Sequence, residues 1–583
     1  MYANEKNCLI LLSLLKAYDI NTIVVSPGGT NVSFVLSVQN DPFFKLFSAV
    51  DERHAAYMAC GIAEETGHPV VIVCTGATAS RNYMPGLTEA YYRKLPVLAI
   101  TCSMHHVYVG SLRPQVTDRT SPPLDAVKVS VQCPIPNSDL DDWDCELKMS
   151  RAILALTHRG GGPAHINLET SYTSNFDITE LPSVRGVRRV VPSDAKWPLL
   201  PKGKKIAVWI GSHHVFNADA GNALHDFVKS NNAVVLGDLT SNCRLDEFVC
   251  PAIVCYQSGA SSNPAFNALM PDLIIRIGEI SGDYATLGWL NKCPEIWRVS
   301  EDGELRAENG NLSAVFEMGE ADFFGHYASG GLENSRYANE WKRLVRDIQG
   351  ECPDIPFSSL YIARRVSRLM PRDAGLYLGI LNPLRCMNLV GVDCACVHCN
   401  VGGFGIDGNI SSMIGASLVH ADRLSICIVG DLSFFYDMNA IGNRHIGSNV
   451  RIIVVNNGEG GEFSTPGSVY GMRSCGDKVH DFIAAKGHFG GRDSDVVRAS
   501  CESLGFKYLS ASEDRGFDSL LGSFFDVESP SPIVLECKTS VDNDRAALEI
   551  YSKIRPYSGG AVRNVIGSVL PDKVKEIVRG LKK

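Results

Sequence analysis

Long apolar runs are missing from this 583-residue chain. None approaches the roughly 20 residues that a helix needs to cross a bilayer, so a helical membrane span is not expected. Also missing is any block of lysine and arginine. With a net charge of -9, no stretch is suited to track a phosphate backbone, and a nucleic-acid partner is not expected. An anionic ligand would have to be held by local groups rather than by the field of the whole molecule. The opening stretch, MYANEKNCLILLSLLKAYDI, has an apolar centre of only about six residues, flanked by charges and without a small-residue cleavage site. It is expected to form an amphipathic first helix of a cytoplasmic protein. Paired CxxC motifs are absent as well. The 19 cysteines are irregularly spaced and are expected to be reduced, small core residues. The tightest group, CACVHCN (394–400), would place Cys394, Cys396 and His398 on one face of a strand. A zinc site needs ligands converging from a turn and usually a second pair, so packing is the expected role.

What the chain does contain is a recurrent pattern of buried strands, each followed by a helical segment. The strands read NTIVVSPGG, HPVVIVCTG and LPVLAITCS, then KKIAVWIGS, NAVVLGDL and PDLIIRIGE, then LSICIVGDL, RIIVVNNGE and SPIVLECK. Continuous apolar strands alternating with helices imply α/β architecture with mostly parallel sheets covered on both faces. The length exceeds one core, and proline- and charge-rich joins near 181–205 and 343–357 divide the strands into three groups. Three domains are therefore expected, over 1–185, 186–350 and 351–583. In such sheets ligands bind beyond the carboxyl ends of the strands.

Two strand ends in the last group carry oxygen ligands. Gly430-Asp431-Leu432 closes one strand and opens a helix, and Asn457 follows 26 residues later at the end of the next strand. A carboxylate and an amide oxygen on adjacent strand ends suit a hard cation such as Mg²⁺, which takes its remaining ligands from phosphates and water. The plainer role for Asp431 is to cap its own helix. In the first group, DERHAAYMACGIA puts Glu52 at the head of a helix with Ala55, Met58, Ala59 and Ile62 on one face. A partly desolvated carboxylate there can exchange a proton with a ring nitrogen, although Asp51 or Glu52 would equally complement the helix N-terminus.

Together these stretches, with TGATASRNYMPGLTEAYYRKLPVLAIT between them and IIVVNNGEGG after GDLSFFYDMNA, resemble the thiamine diphosphate enzymes of the pyruvate oxidase/acetolactate synthase type. Within them SPGG, DER, NYMPGLTEA and GFGIDG are most similar to the menaquinone-pathway carboligases, the 2-succinyl-5-enolpyruvyl-6-hydroxy-3-cyclohexene-1-carboxylate synthases. The resemblance implies thiamine diphosphate and Mg²⁺ as cofactors. Asp431, Asn457 and the backbone carbonyl of Glu459 would bind the metal, with Gly430 and Leu432 beside the diphosphate. It assigns to Glu52 the hydrogen bond to the aminopyrimidine ring, to Ile406 the apolar support beneath the bent cofactor, to Gln115 an amide facing the reacting carbon, and to Asn82 a place near the cofactor. It also implies a homodimer or homotetramer with active sites at the subunit interface, and a central domain without flavin.

Against the carboligase pattern, the cationic positions that hold its multiply charged substrates are changed. Thr30, Val401 and Met387 stand where arginines are expected (Arg385 lies close by), Asp283 stands in place of a lysine, and TCSMHH replaces an arginine-bearing loop. A smaller 2-oxo acid, such as pyruvate, is the expected donor. His105 and His106 fall on the loop where some 2-oxo acid decarboxylases carry a proton-relaying histidine pair, and Glu462 falls one place from an acid those enzymes use. His213-His214 is expected to be structural. Three activities follow: a carboligase that decarboxylates a 2-oxo acid and passes the acyl carbanion to an acceptor, a simple decarboxylase, or a non-catalytic binding or regulatory relative. The retained Glu52, Asp431 and Asn457 argue against the last.

Overall fold

The computed structural model describes residues 1–307, 310–328, 336–465 and 478–556. The chain forms two compact units, Met1–Asp194 with Asp302–Glu317, and Ala195–Glu301 with Met318–Lys583. In chain order the first unit carries strands β1 (Thr22–Val25), β2 (Lys45–Ser48), β3 (Val70–Thr75), β4 (Val97–Ser103), β5 (Val129–Cys133), β6 (Ala164–Glu169) and β7 (Arg188–Val190). The second adds β8 (Ile206–Ile210), β9 (Val234–Gly237), β10 (Phe248–Val249), β11 (Leu273–Ile277) and β12 (Ile296–Val299). The chain returns to the first unit for β13 (Leu312–Phe316) and ends in the second with β14 (Gly375–Leu378), β15 (Cys396–Cys399), β16 (Ser425–Gly430), β17 (Val450–Asn456), β18 (Lys507–Ala511) and β19 (Ile533–Lys538).

In the first unit six parallel strands follow the order β2-β1-β3-β4-β6-β5, and β13 pairs in parallel with β7. In the second unit β10-β9-β8-β11-β12 run parallel, and β15-β14-β16-β17-β19-β18 form another six-stranded parallel sheet. The first and last sheets have the same order: second strand at the edge, then first, third, fourth, sixth and fifth. Parallel neighbours need crossovers, and helices supply them on both faces. Three parallel-sheet α/β layers flanked by helices are thus present as expected, and all nine apolar runs are strands.

Register carries the functional consequence. Gly430 on β16 lies opposite Val455 on β17, so both strands finish together and the next side chains, Asp431 and Asn457, emerge at one edge. In the first unit Ser103 on β4 lies opposite Glu169 on β6, bringing the loop after β4 over the end of β6.

The strands that do not read as apolar runs include β6, AHINLE. It is buried along its whole length, but its polar side chains are bonded inward: His165 Nε2 and Asn167 Oδ1 each lie 2.9 Å from Thr101 Oγ1. The first helix, Lys6–Ala17, departs from expectation. It is not amphipathic: Asn7 to Leu15 are all buried. The segment from Leu181 to Val187 returns across it, with Leu181 and Val184 packed on the same core and Ser13 donating to the Pro182 carbonyl at 2.8 Å. All described cysteines are free, most of them buried. Cys396 is buried while His398, two residues on, is exposed on edge strand β15 and stacks on Tyr377. Among the described residues, no helix is long and apolar enough to cross a membrane.

Candidate active site

The metal-ligating candidates sit where β16 and β17 end. Asp431 is the first residue of the helix Asp431–Tyr436. Its Oδ2 accepts a hydrogen bond from the Gly458 N–H at 3.0 Å. Burial pushes its carboxyl up to about 7, against the pull of the Leu432 and Gly458 backbone N–H groups. The two consecutive asparagines point to opposite faces. Asn456 Nδ2 is bonded to Glu536 on β19 at 2.6 Å and belongs to the core. Asn457 Nδ2 donates to Asp544 Oδ2 at 3.1 Å, while Asp544 Oδ1 accepts from the Ser359 N–H at 2.6 Å. An ionised carboxylate only accepts, so Asp544 must face the NH₂ of Asn457 and thereby turns Oδ1 the other way. Burial also raises the Asp544 carboxyl. Asp544 was not among the residues singled out from sequence. It lies 87 positions away on the helix Val541–Tyr551, with no motif to mark it.

Glu459 turns its side chain away from this edge to His480, with Oε2 2.5 Å from Nδ1. Among the described residues its backbone carbonyl accepts no hydrogen bond. Gly461 admits no side chain, since a Cβ there would sit 2.8 Å from Asn457 Nδ2. The donor set is therefore a buried carboxylate, a fixed amide oxygen and an uncommitted carbonyl. Two carboxylates buried without a bonded cation among the described residues, presented with oxygen donors, fit an oxygen-loving divalent ion.

These groups border a cavity of about 520 Å³. Gly430, Leu432, Ile406 and Phe463 line it together with Asp431, Asn457, Glu459 and Glu462. Ile406 is half-buried, and its carbonyl accepts from Ser433 Oγ at 2.7 Å. Leu381, on the same wall, holds a left-handed φ of 65°, a strained conformation of the kind that concentrates at functional sites. Among the described residues, no lysine or arginine lines the cavity. Arg385 comes nearest in sequence, but its guanidinium forms a two-pronged pair with Glu462 at 2.8 and 2.9 Å. Of the changed positions, Val401 and Met387 are core residues and Thr30 donates to the Cys102 carbonyl at 2.6 Å. Asp283 caps the helix Tyr284–Leu290, and burial raises its carboxyl to about 6.

Removing Arg385 should leave Glu462 buried without its guanidinium partner. Arg385→Ala is expected to cost about 3 kcal/mol in urea unfolding. A loss below about 1 kcal/mol would mean that the pair is effectively solvated.

In the first unit Glu52 opens the helix Glu52–Thr66, while Asp51 is its N-cap, accepting from the Arg53 and His54 N–H groups. Asp51 takes the capping role and leaves the Glu52 carboxylate available. Asn82 Nδ2 lies 3.5 Å from Glu52 Oε2, so these two are brought together. Gln115 lies apart on an exposed loop, with a left-handed φ of 66°. His105 and His106 follow β4 and stack with ring centroids 4.8 Å apart. Beneath them is Glu169, also missed from sequence because it ends a polar strand. His106 Nδ1 lies 2.5 Å from Glu169 Oε1, and Gln132 Nε2 donates to the same oxygen at 3.0 Å. Among the described residues this is the one cluster whose histidine and carboxylate ligand atoms converge. His213, by contrast, pairs with Glu320 at 3.1 Å and stacks on Phe216, as a structural histidine would.

Comparison with known proteins bears on this geometry. The family described as thiamine pyrophosphate enzyme, N-terminal TPP binding domain, matches residues 9–126. The 2-succinyl-5-enolpyruvyl-6-hydroxy-3-cyclohexene-1-carboxylate synthase of Phocaeicola vulgatus is 30% identical over 571 residues, covering 94% of this chain and 98% of its own. The chain belongs to this family of thiamine diphosphate enzymes. The synthase of the same name from Bacteroides fragilis is 28% identical over 571 residues, covering 94% of this chain and 99% of its own. The residues matched to the family's N-terminal domain include Glu52, Asn82, His105, His106 and Gln115.

Proposed function

We propose that this protein is a thiamine diphosphate- and Mg²⁺-dependent carboligase that decarboxylates a small, pyruvate-like 2-oxo acid and transfers the acyl unit to an acceptor. The three domains would run over 1–185 (pyrimidine-binding), 186–350 (central) and 351–583 (diphosphate- and metal-binding), in a homodimer or homotetramer. Asp431, Asn457 and the Glu459 carbonyl would hold Mg²⁺ and, with Gly430 and Leu432, the diphosphate. Glu52, with Asn82 beside it, would hold and return a proton at the pyrimidine ring. Ile406 would support the cofactor from below, and Gln115 would offer an amide N–H to the reacting carbonyl. The cofactor, when bound, would supply a nucleophilic carbon for the 2-oxo carbonyl and an electron-poor ring to take up the electron pair left behind by departing CO₂.

The observation that carries the choice of a small substrate is the absence of any cation on the described cavity wall, together with Arg385 already committed to Glu462. A substrate with several carboxylates needs cationic partners when it is desolvated. The relatives are named for synthesis of a product with several carboxyl groups, and at Thr30, Val401, Met387 and Asp283 this chain offers buried residues without a cation. The histidine pair over Glu169 supports simple decarboxylation as a second reading, with a proton as the acceptor.

Purified protein with thiamine diphosphate, Mg²⁺ and a panel of 2-oxo acids is expected to release CO₂ most rapidly from the smallest members. Addition of an aldehyde acceptor should convert the product from free aldehyde to a hydroxyketone. No release from any member would refute both readings. Free aldehyde regardless of acceptor would select the decarboxylase.

A further inference from the structure

We infer that Glu169 and the Val107 backbone N–H set His105 and His106 in opposite tautomers, so that the stacked pair presents one proton acceptor and one proton donor at the open end of the first sheet. The assignment of a purpose to this pair rests on the proton-relay role in the functional reading above; the tautomers themselves rest on hydrogen bonding alone.

Glu169 is 1% exposed. Its Oε1 receives the Gln132 side-chain N–H at 3.0 Å and the His106 backbone N–H at 3.0 Å, and it lies 2.5 Å from His106 Nδ1. An oxygen already accepting two N–H donors is not the one that carries a proton, so the hydrogen between it and the ring belongs to Nδ1. His106 Nε2 then holds a lone pair. His105 is arranged the other way. Its Nδ1 accepts the Val107 backbone N–H at 3.3 Å. It stands 3.7 Å from Glu169 Oε2, which is buried without a hydrogen-bond partner among the described residues. A donor hydrogen on His105 Nδ1 would oppose the Val107 N–H, so the neutral ring carries its hydrogen on Nε2.

Side by side and about half exposed, the two Nε2 atoms therefore differ. His105 offers a hydrogen to a developing negative charge, and His106 offers a lone pair to a hydroxyl hydrogen. Glu169 is buried beneath the rings and would act through them, as a positioning residue. Its place is set by strand register, because β6 ends level with β4.

The test is long-range ¹H–¹⁵N spectroscopy of the full-length protein labelled at histidine, at about pH 8.5, above the ordinary imidazole range. Assignment would use His105→Gln and His106→Gln. His106 is expected in the Nδ1–H form and His105 in the Nε2–H form. A hydrogen on His106 Nε2, or on His105 Nδ1, in the parent protein would overturn the inference. Glu169→Ala should return His106 toward the Nε2–H form and lower kcat about 10–100-fold, as loss of an orienting partner does, with KM little changed. The double variant Glu169→Ala/His106→Gln should be no slower than His106→Gln alone. If the tautomers are as stated but His106→Gln turns over normally, the relay reading fails and the tautomer assignment stands.

Discussion

Protein carrying Glu52→Gln is expected to bind thiamine diphosphate nearly as well as the parent and to lose turnover by about 10²–10⁴-fold, the usual contribution of a positioned acid–base group. The substitution is close to isosteric, so the 3.5 Å approach of Asn82 can persist. The helix that Glu52 opens should also persist, because its cap is Asp51. What disappears is the capacity to hold a proton. Cofactor titration followed by fluorescence, kcat on the best 2-oxo acid, and a melting curve separate these effects. Unchanged kcat would show that another group activates the cofactor. A large drop in melting temperature would show a structural role that Asp51 does not cover.

Asp431→Ala should act earlier, by removing cofactor binding itself. Parent protein saturated with cofactor and Mg²⁺ at about 100 times Kd should gain about 2.7 kcal/mol of apparent stability, and Asp431→Ala should gain none. Without ligands, the variant is expected to be at least as stable as the parent. Its aspartate is a buried carboxylate raised to about 7 by desolvation, a cost that alanine does not carry. Such a trade marks a residue kept for a ligand rather than for folding. Asp544→Ala should weaken cofactor binding about 10–100-fold, because Asn457 then loses the partner that orients its amide. Calorimetry that found equal Mg²⁺-dependent affinity in parent and Asp431→Ala would remove the metal site from this edge.

The three parallel sheets were legible because a strand buried on both faces must be apolar throughout. β3, β4, β16 and β17 are such strands. β6 escaped notice because its buried His165, Asn167 and Glu169 look polar in one dimension; only their bonds to Thr101 and the loop after β4 make them interior residues. The first helix misled in the opposite sense. Its charged flanks suggested a wet face, but the segment that covers it, near Leu181 and Val184, lies far along the chain.

The sequence by itself determined the family and marked Asp431 and Asn457 as candidates, because these depend on short motifs at fixed spacing beside apolar strands. Tertiary structure decided which groups lie against the candidate side chains: Asp544 behind Asn457, Arg385 against Glu462, Glu169 beneath the histidine pair. Those partners meet across separations of 87, 77 and 63 residues. Hydrogen bonds and ion pairs are short-range, and folding rather than spacing brings such groups within their reach.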